Sequence, residues 1–529
     1  MMVLLTAVYW PALFGGFIWD DVTFISDNIL IQNPQGLWSI WLSHDSTDYW
    51  PLTYSLFWVM WRVFGPETFG YHLINVLVHT LNVLLIFVIL RRYHPSWAFV
   101  CATLFAFHPV NVESVAWIFQ LKTLFSTTLA LLSLLFWLRD LDSKGKSANF
   151  YLLSVGCFVL SLLTKASVVT WPVVILGVTH WTAGLNRSRL RKLAPFFGLS
   201  GVMGLLNLFW YRYAELGGGE VVRAESWQEK ILGAGWSFWF YWWKALVPKS
   251  LTFVYPRWHD LGSSILDFAP LVALVGVGAL LWYCRRGMWQ YLGIGLAYFA
   301  IVIFPVLGFA DIYFMRYSLV ADHWQYLALL GPLGLVAALL VRGLGAGHWL
   351  NIATVILAGV LGVLSFRQAG IYQSEKSVWQ DTIDKNPDAW LAHNNLGAQL
   401  LAEGQGSLAL SHFQAAVRLK PDFADAYNNI GAYYLGLDDR VNARMAFEKA
   451  LQVFPFYARA LNNMAALAVK EGRPLEGIEY LRLAIEHLPT YYKGYMNLGM
   501  LYTQTGQPEL AAEAYKKGKG SRFFFDKHP

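Results

Sequence analysis

The stretch Asn-Asn-Leu-Gly at residues 394–397 recurs in the second part of the chain, as Asn-Asn-Ile-Gly at 428–431, Asn-Asn-Met-Ala at 462–465 and Met-Asn-Leu-Gly at 496–499. Prolines recur beside it at positions 387, 421, 455 and 489. Both features repeat every 34 residues, which is typical of a solenoid built from pairs of helices. Proline ends the second helix of each pair because it cannot continue a helix.

This period is that of tetratricopeptide (TPR) repeats. The small and aromatic positions fit in the first two repeats, at Gly397, Ala409, Phe413, Ala416 and Pro421, then at Gly431, Ala443, Phe447, Ala450 and Pro455. The third repeat departs from this pattern, with Ala465 and Gly477 at the small positions. We predict about four TPR repeats over residues 387–520, with a linker and leading helix at 367–386 and a tail at 521–529.

The chain before residue 366 has the composition of a membrane protein. Over all 529 residues, 56% are hydrophobic and only 14% are charged, whereas soluble domains carry about 25% charged residues. Apolar segments of spanning character lie at roughly 1–17, 69–90, 96–109, 118–138, 148–164, 168–183, 193–213, 268–284, 288–307, 325–342 and 347–366. We therefore predict an all-α protein, with a polytopic membrane domain of about eleven spans at 1–366 followed by an extramembrane TPR solenoid.

Basic residues predict the orientation. They concentrate in alternate loops, at 91–92, 139–146, 187–192, 285–286 and 342, which the positive-inside rule places in the cytoplasm. The loops between them and the TPR region then face outward. We expect a multi-pass protein of the plasma (inner) membrane with a periplasmic or otherwise extracytoplasmic TPR domain. The aromatic segment 231–247 contains Lys244, which favours an interfacial or re-entrant position.

Several function classes find no support. The cysteines Cys101, Cys157 and Cys284 lie in apolar segments without metal or redox spacing, so no disulfide framework is indicated. The chain has no P-loop, no nucleotide-binding glycine fingerprint and no HExxH motif. It has no basic stripe that would indicate a nucleic-acid partner.

An acidic pair follows the first apolar segment, in Phe-Ile-Trp-Asp-Asp at 17–21. Ionised groups at a membrane face are costly and often functional. Asp20 or Asp21 could orient and deprotonate an acceptor hydroxyl. Glu113 could complete an acidic cluster that holds a divalent metal or tunes a pKa. The alternatives are a solvated turn in which an Asp caps a helix, and a solvated Glu113.

Three basic residues predict a site for a lipid phosphate. Lys165 is an isolated cation between two short spans, and Arg316 and His323 lie in the last outer loop. Each could bind the phosphate leaving group of a lipid-linked donor. The alternative is an interface anchor for Lys165 and a packing role for His323.

The TPR region presents a second candidate site. Stacking of the repeats should align one amide from each first helix, at Asn395, Asn429, Asn463 and Asn497. Such a ladder can hydrogen-bond an extended peptide backbone without reading its sequence. The alternative is that these amides cap helices or are solvated.

Together these residues resemble the transmembrane, TPR-containing protein O-mannosyltransferases and their bacterial relatives, of the GT-C glycosyltransferase superfamily. The resemblance rests on residues 17–21, 50–54, 70–75, 108–113, 163–165 and 321–327, and it covers nearly the whole chain. It implies an enzyme that takes a sugar from a polyprenyl or dolichyl phosphate and transfers it on the non-cytoplasmic face. By this likeness the catalytic acidic pair maps to Asp20 and Asp21.

Three positions depart from the family pattern. His323 stands where many relatives have Arg, Ala166 where eukaryotic members usually have Glu, and Trp50 where many have Arg. These differences point to a bacterial branch whose sugar and acceptor can differ from mannose and cadherin-like proteins.

We expect transfer of a hexose or pentose from a polyprenyl-phosphate donor to a hydroxyl of an exported protein, such as a pilin, with Asp20, Asp21 and Glu113 catalytic. The expected partners are the lipid-linked donor, the exported acceptor and the bilayer. A divalent metal is the one cofactor that we consider. Two alternatives stay open. One is a non-enzymatic, membrane-anchored TPR scaffold for envelope or pilus assembly, and the other is a glycan ligase or polymerase.

Overall fold

A computed structural model describes residues 1–42, 49–143, 148–216, 223, 225–258, 261–284, 287–489 and 491–521. Every regular element in these ranges is helical, which confirms the all-α class. The α-helices are α1 (Met2–Val8), α2 (Ile29–Gln32), α3 (Gly36–Leu42), α4 (Pro51–Phe64), α5 (Phe69–Leu90), α6 (Pro95–Ala106), α7 (Val112–Ala116), α8 (Leu121–Asp142), α9 (Ala148–Thr164), α10 (Trp171–Ala183), α11 (Arg187–Leu216), α12 (Trp227–Leu246), α13 (Ala269–Tyr283), α14 (Met288–Ile303), α15 (Leu330–Leu344), α16 (His348–Ile371), α17 (Glu375–Lys385), α18 (Trp390–Ala402), α19 (Gly406–Leu419), α20 (Ala424–Gly436), α21 (Arg440–Val453), α22 (Ala458–Lys470), α23 (Pro474–His487), α24 (Tyr492–Gln504) and α25 (Pro508–Ser521).

The chain divides into two compact units. The first contains residues 1–18 and 48–374, and the second contains residues 19–47 and 375–529. The acidic pair at 20–21 therefore belongs to the unit that also holds the TPR helices.

The first unit is rich in apolar helices. In the described ranges, seven helical segments are long and apolar enough to cross a membrane, namely Phe69–Leu90, Ile118–Asp142, Ala166–Ala183, Arg187–Phe209, Ile265–Tyr283, Trp289–Val306 and His348–Ile371. The pair Pro95–Ala106 and Pro109–Ala116 would be an eighth if it is one span, bent by 52°. Two shorter apolar helices, α9 and α15, match further predicted spans. The figure of eleven spans stays a prediction.

The first predicted span differs in structure from a single long helix. Helix α1 ends at Val8, and a short 3-10 helix follows at Ala12–Phe14. Pro11 lies between them, and a proline disfavours helical backbone at the residue before it. The aromatic segment around 231–247 forms α12. Near its end, the Lys244 ammonium donates hydrogen bonds to the carbonyl oxygens of Lys249 and Ser250, at 2.6 and 3.2 Å.

Helices α18 to α25 form four antiparallel pairs at the positions that the repeat predicts, and α17 precedes them. Each predicted proline follows two residues after the last residue of α17, α19, α21 or α23. A side chain at Gly397 would collide with the Phe413 ring, since a Cβ there would lie 2.7 Å away. This close approach explains why small residues recur opposite the aromatic ones.

The turn inside each pair requires a left-handed backbone, which disfavours residues other than glycine. Gly404, Gly472 and Gly506 occupy it with φ values of +79°, +78° and +74°. The equivalent residue in the second repeat is Asp438, with φ of +58°. Asp tolerates this conformation better than most residues because its short side chain can hydrogen-bond locally.

Replacing Gly472 with alanine should destabilise the turn between α22 and α23 by about 1–2 kcal/mol, because a Cβ is disfavoured in left-handed backbone. The matched control is Gly436→Ala at the end of α20, where a Cβ meets open space and alanine should stabilise by about 0.5–1 kcal/mol. Hydrogen exchange of the two helix pairs in the full chain measures both. Equal and same-signed changes would contradict this account.

Candidate functional site

A stripe of polar residues runs along α5, whose other residues are mostly apolar. His72, Asn75, His79 and Asn82 are each buried and are spaced by three, four and three residues. This spacing places them on one face of the helix. Each of them hydrogen-bonds another segment of the first unit.

The first residue of the stripe holds the segment that precedes the acidic pair. His72 Nε2 lies 3.2 Å from the carbonyl oxygen of Gly15, and the Thr68 hydroxyl donates to the same oxygen at 2.6 Å. A Cβ at Gly15 would lie 2.7 Å from the carbonyl oxygen of Tyr372. The glycine therefore permits the chain to pass close to the end of α16.

The second residue of the stripe holds the segment that follows Glu113. The Asn75 amide donates to the carbonyl oxygens of Val115, Trp117 and Ile118 at 3.2, 3.1 and 3.4 Å. These carbonyls lie at or just after the C-terminus of α7, where helical partners are missing. Asn75 therefore fixes the short helix that carries Glu113.

The last two residues position the segment around His323. His79 Nδ1 lies 2.6 Å from the Tyr326 hydroxyl, and the Asn82 amide donates to the same oxygen at 3.3 Å. Asn82 also donates to the Leu124 carbonyl at 2.9 Å and accepts from the Thr128 hydroxyl at 2.7 Å. The stripe thus connects α8 with the residues at 322–326.

Glu113 and His323, predicted from the sequence as separate site residues, lie in direct contact. His323 Nδ1 is 2.9 Å from Glu113 Oε1, and the His323 backbone N–H donates to Glu113 Oε2 at 3.1 Å. The two side chains are 2% and 5% exposed, so Glu113 is not the solvated residue of the alternative interpretation. The Nδ1–H of the imidazole donates to the Glu113 carboxylate. Nε2 is then the ring nitrogen that can contact a ligand.

Aromatic rings and a second carboxyl group surround this pair. The Trp117 and Phe314 rings meet the His323 ring edge-on, with centroids 5.6 and 5.8 Å away. The Tyr255 hydroxyl donates to Asp322 Oδ1 at 2.9 Å. The imidazole is therefore held by packing on its sides and by a carboxylate at Nδ1.

Lys165 and His323 line the same cavity. The cavity measures about 30 Å³, which is room for about two water molecules. Hydroxyl-bearing and apolar residues also line it, namely Thr123, Ser126, Thr127, Ser167, Thr170, Val168, Trp171, Val302, Val306, Trp324, Tyr326 and Leu327. Lys165 Nζ donates to the Thr123 hydroxyl at 2.7 Å, and that hydroxyl donates to Gln120 at 2.6 Å. A buried cation, an imidazole and several hydroxyls can bind an anionic oxygen.

Lys122 is a functional candidate that the sequence reasoning missed. It is 6% exposed, with its ammonium 3.6 Å from the centroid of the Phe119 ring and 4.4 Å from that of Trp50. It is close enough for its charge to act on Lys165 and His323. The sequence signal for Lys122 is a lone cation inside an apolar segment. The sequence signal for the polar stripe is the helical spacing of its four residues on α5.

Arg316 does not line the cavity; its guanidinium lies 6.0 Å from the Tyr317 ring centroid. Its carbonyl accepts a 2.8 Å hydrogen bond from Arg257, which also pairs with Glu225 at 2.6 Å. Arg223 pairs with the same Glu225 at 3.2 Å. Arg223 and Arg257 therefore share Glu225 in one ion network.

The predicted acidic trio divides between the two units. Asp20 and Asp21 open a short helical segment of the second unit, Asp20 half-buried and Asp21 fully buried. Within the described ranges, no three His, Cys, Asp or Glu side chains come together as a metal site would require.

Glu375 anchors the start of this acidic segment within the second unit. It accepts hydrogen bonds from the Trp379 indole at 3.0 Å, from Gln399 at 2.7 Å and from the backbone N–H of Trp19. Burial raises the pKa of the Glu375 carboxyl, and these hydrogen bonds oppose that rise. The Trp19 ring also meets the Trp379 ring edge-on at 6.1 Å, so the residue before Asp20 is held against α17.

The predicted asparagine ladder is hydrogen-bonded to neighbouring asparagines in the preceding repeat. The side-chain amides of Asn429, Asn463 and Asn497 donate to the asparagine one repeat earlier, Asn394, Asn428 and Asn462, at 2.9, 2.8 and 2.6 Å. In the first repeat Asn394 donates to Asn395 at 3.0 Å. Each ladder residue is half-buried. One N–H of each donating amide is used between repeats, and its other N–H and its oxygen remain as further hydrogen-bonding groups.

Known proteins are similar to most of this chain. Human protein O-mannosyl-transferase TMTC4 is 26% identical over 483 residues, which are 75% of this chain and 63% of that protein. The chain is thus similar, over most of its length, to proteins named protein O-mannosyl-transferases. This confirms the resemblance that the sequence motifs indicate.

Further similarities agree with this relationship. Human TMTC1 is 25% identical over 78% of this chain and 54% of its own length, and the Caenorhabditis elegans protein O-mannosyl-transferase F38B6.6 is 29% identical over 32% of this chain and 26% of its own length. The chain thus spans less than two thirds of the length of these relatives. The tetratricopeptide repeat family matches residues 424–457 and 492–521, which confirms the TPR prediction.

Solved structures similar to this chain include MamA from Desulfovibrio magneticus, 19% identical over 29% of this chain and 87% of that one, with a TM-score of 0.25. The TPR protein YrrB is 16% identical over 35% of this chain and 91% of its own, with a TM-score of 0.23.

Replacing Asn75 with alanine should lower the stability of the first unit by about 2–3 kcal/mol, because buried carbonyl oxygens at the end of α7 lose a donor. Thr80→Val is the matched control on the same helix. It removes only a hydrogen bond to Val76 within α5. It should cost about 0.5–1 kcal/mol, because the Val76 carbonyl keeps its partner in the helix. Thermal unfolding of the purified full chain measures both, and equal melting temperatures would contradict a fixing role for Asn75.

Proposed function

We propose that this chain is an integral-membrane glycosyltransferase. It would move a sugar from a polyprenyl-phosphate-linked donor to a hydroxyl of an exported protein, on the non-cytoplasmic face of the plasma (inner) membrane. The observation that carries the proposal is that Lys165 and His323 line one buried cavity, with Glu113 in contact with His323. The protein O-mannosyl-transferases to which the chain is related supply the reaction class.

In the proposed reaction the acceptor oxygen attacks the anomeric carbon of the sugar. The bond from that carbon to the phosphate oxygen breaks, and its electron pair stays on the phosphate. The proton of the acceptor hydroxyl moves to a carboxylate, the role proposed for Asp20 or Asp21. Lys165 and His323 would stabilise the charge that develops on the leaving phosphate.

The geometry supports a positioning role for Glu113 in this scheme. Its oxygens accept from the His323 side chain and backbone. Burial and the charges of Lys165 and Lys122 oppose the charged form of the imidazole. A phosphate bound at the cavity would favour that form, together with Glu113, and Nε2–H would then donate to a phosphate oxygen. Lys122 would add positive charge near His323. Arg316 remains a proposed contact for a part of the donor outside the cavity.

The TPR helices would bind the acceptor. Asn395, Asn429, Asn463 and Asn497 follow one another at a fixed period, and their remaining N–H and C=O groups complement the backbone of an extended chain. Such contacts do not depend on side chains of the acceptor. The domain would thus bring many sequences to one reaction centre. A divalent metal bound by Asp20, Asp21 or Glu113 stays part of the proposal only as an open alternative.

Loss of the acidic pair should abolish transfer. Exported proteins from cells carrying the wild type or Asp20→Asn/Asp21→Asn would be compared by intact-mass spectrometry, and the double variant should lack a hexose- or pentose-sized increment on a discrete protein. Loss of a general base typically costs about 10²–10⁴-fold in rate.

The matched control is Asp27→Asn, which changes an exposed carboxylate of the same segment and should leave the modification intact. Membrane expression of every variant must equal that of the wild type. Unchanged masses with a functional double variant would favour the scaffold alternative. Unchanged masses with a lost surface polymer would favour a glycan ligase or polymerase.

His323→Gln should lower the turnover number by about 10–100-fold, because glutamine cannot supply positive charge to the leaving phosphate. His323→Arg should recover much of it, since arginine stands at this position in many proteins that the chain resembles. Transfer from a polyprenyl-phosphate sugar to an exported acceptor, followed with purified protein, measures both. Equal losses in the two variants would show that His323 acts by packing and not by charge.

A further inference from the structure

A second cavity lies far along α5 from the Glu113 cluster, at the C-terminal ends of α5 and α8. Its volume is about 230 Å³. About fifteen residues of α5 separate Asn75 from Leu90, which corresponds to about 22 Å along a helix. The residues of this cavity take no part in the site described above.

Three arginines and one carboxylate line the cavity, namely Arg91, Arg92, Arg139 and Asp142. Arg92 pairs with Asp142 through its two terminal guanidinium nitrogens, which fixes this arginine and neutralises its charge. Arg91 and Arg139 form no salt bridge within the described residues, and Arg139 lies 5.9 Å from the Phe150 ring centroid. Within the described residues, the charges of Arg91 and Arg139 are therefore not compensated by a carboxylate.

The backbone reduces this positive charge but does not cancel it. Both helices end at the cavity with their C-termini, and each end carries a partial charge of about −0.5. Against the two uncompensated arginines, a net charge of about +1 remains. The balance suits a ligand with one negative charge better than a dianion.

The rest of the cavity wall is aliphatic. Val88 and Ile89 of α5 face Leu135 and Leu138 of α8, with Ile89 5% and Leu138 1% exposed. Basic groups beside an aliphatic wall at the end of two apolar helices fit an amphiphile, with its phosphate at the arginines and its glycerol or acyl portion against the wall. Both helices belong to segments that are apolar enough to cross a membrane.

We propose that this cavity binds the phosphate of an anionic phospholipid that has a singly charged phosphodiester headgroup. Arg91 and Arg139 donate to the phosphate oxygens, and Asp142 holds Arg92 in place beside them. The site is independent of the proposed transfer reaction, because it shares no residue with the Lys165 cavity.

The test measures binding of fluorescent phosphatidylglycerol to the purified full chain in neutral detergent. Arg91→Gln/Arg139→Gln should bind it about 25-fold more weakly than the wild type, since each basic group near an anionic headgroup contributes about fivefold. The matched control, Arg187→Gln/Arg191→Gln, removes the same charge at the start of α11 and should change binding less than twofold.

Two further probes distinguish the sources of the phosphate group. Phosphatidylcholine should compete weakly, because its headgroup has no net charge, and inorganic phosphate should not displace the lipid at millimolar concentration. Equal losses in both double variants would overturn the proposal in favour of general attraction to a basic surface. Displacement by millimolar inorganic phosphate would overturn it in favour of a site for free phosphate. Unchanged thermal unfolding confirms that each variant is folded.

Discussion

The polar stripe on α5 is the constraint on which the rest of the first unit depends. A buried amide or imidazole inside an apolar helix costs free energy unless it is hydrogen-bonded, and the membrane core has no water to satisfy it. His72, Asn75, His79 and Asn82 find their partners in other segments, at Gly15, α7, Ala106 and α8. Each such bond fixes one segment against one helix, so a few contacts determine how the short, irregular pieces around the cavity are placed.

The need to satisfy buried polar groups also explains the Glu113–His323 pair. A buried carboxylate is tolerated when charged or donor groups surround it. Glu113 receives the side chain and the backbone of His323, with Lys165 close enough for its charge to act on it. The cluster is thus held together by the hydrogen bonds that Glu113 accepts from His323, beside a lysine of opposite charge. That arrangement also leaves a cation and an imidazole at one cavity, which is what a leaving phosphate requires.

The acidic pair depends on a different anchor. Glu375 precedes the repeats and accepts from Trp19, Trp379 and Gln399, so the chain just before Asp20 is fastened to the first helices of the TPR unit. The residues proposed to act on the acceptor hydroxyl therefore share a compact unit with the repeats proposed to bind the acceptor. The acidic segment and the TPR helices are therefore parts of one compact unit.

The sequence by itself determined what is periodic or compositional: the 34-residue repeat with its helix-ending prolines, the apolar segments, and the residue types of the candidate sites. Periodicity is readable because each repeat packs chiefly against its neighbours. Only the tertiary structure decided which distant residues meet. His323 lies 210 residues from Glu113, and no local pattern encodes that contact. Packing between segments likewise decides the burial of Lys122, the hydrogen bonds between asparagines of neighbouring repeats, and the inclusion of residues 19–47 in the second unit. In each case burial, and not position in the chain, determines which partner a polar group has.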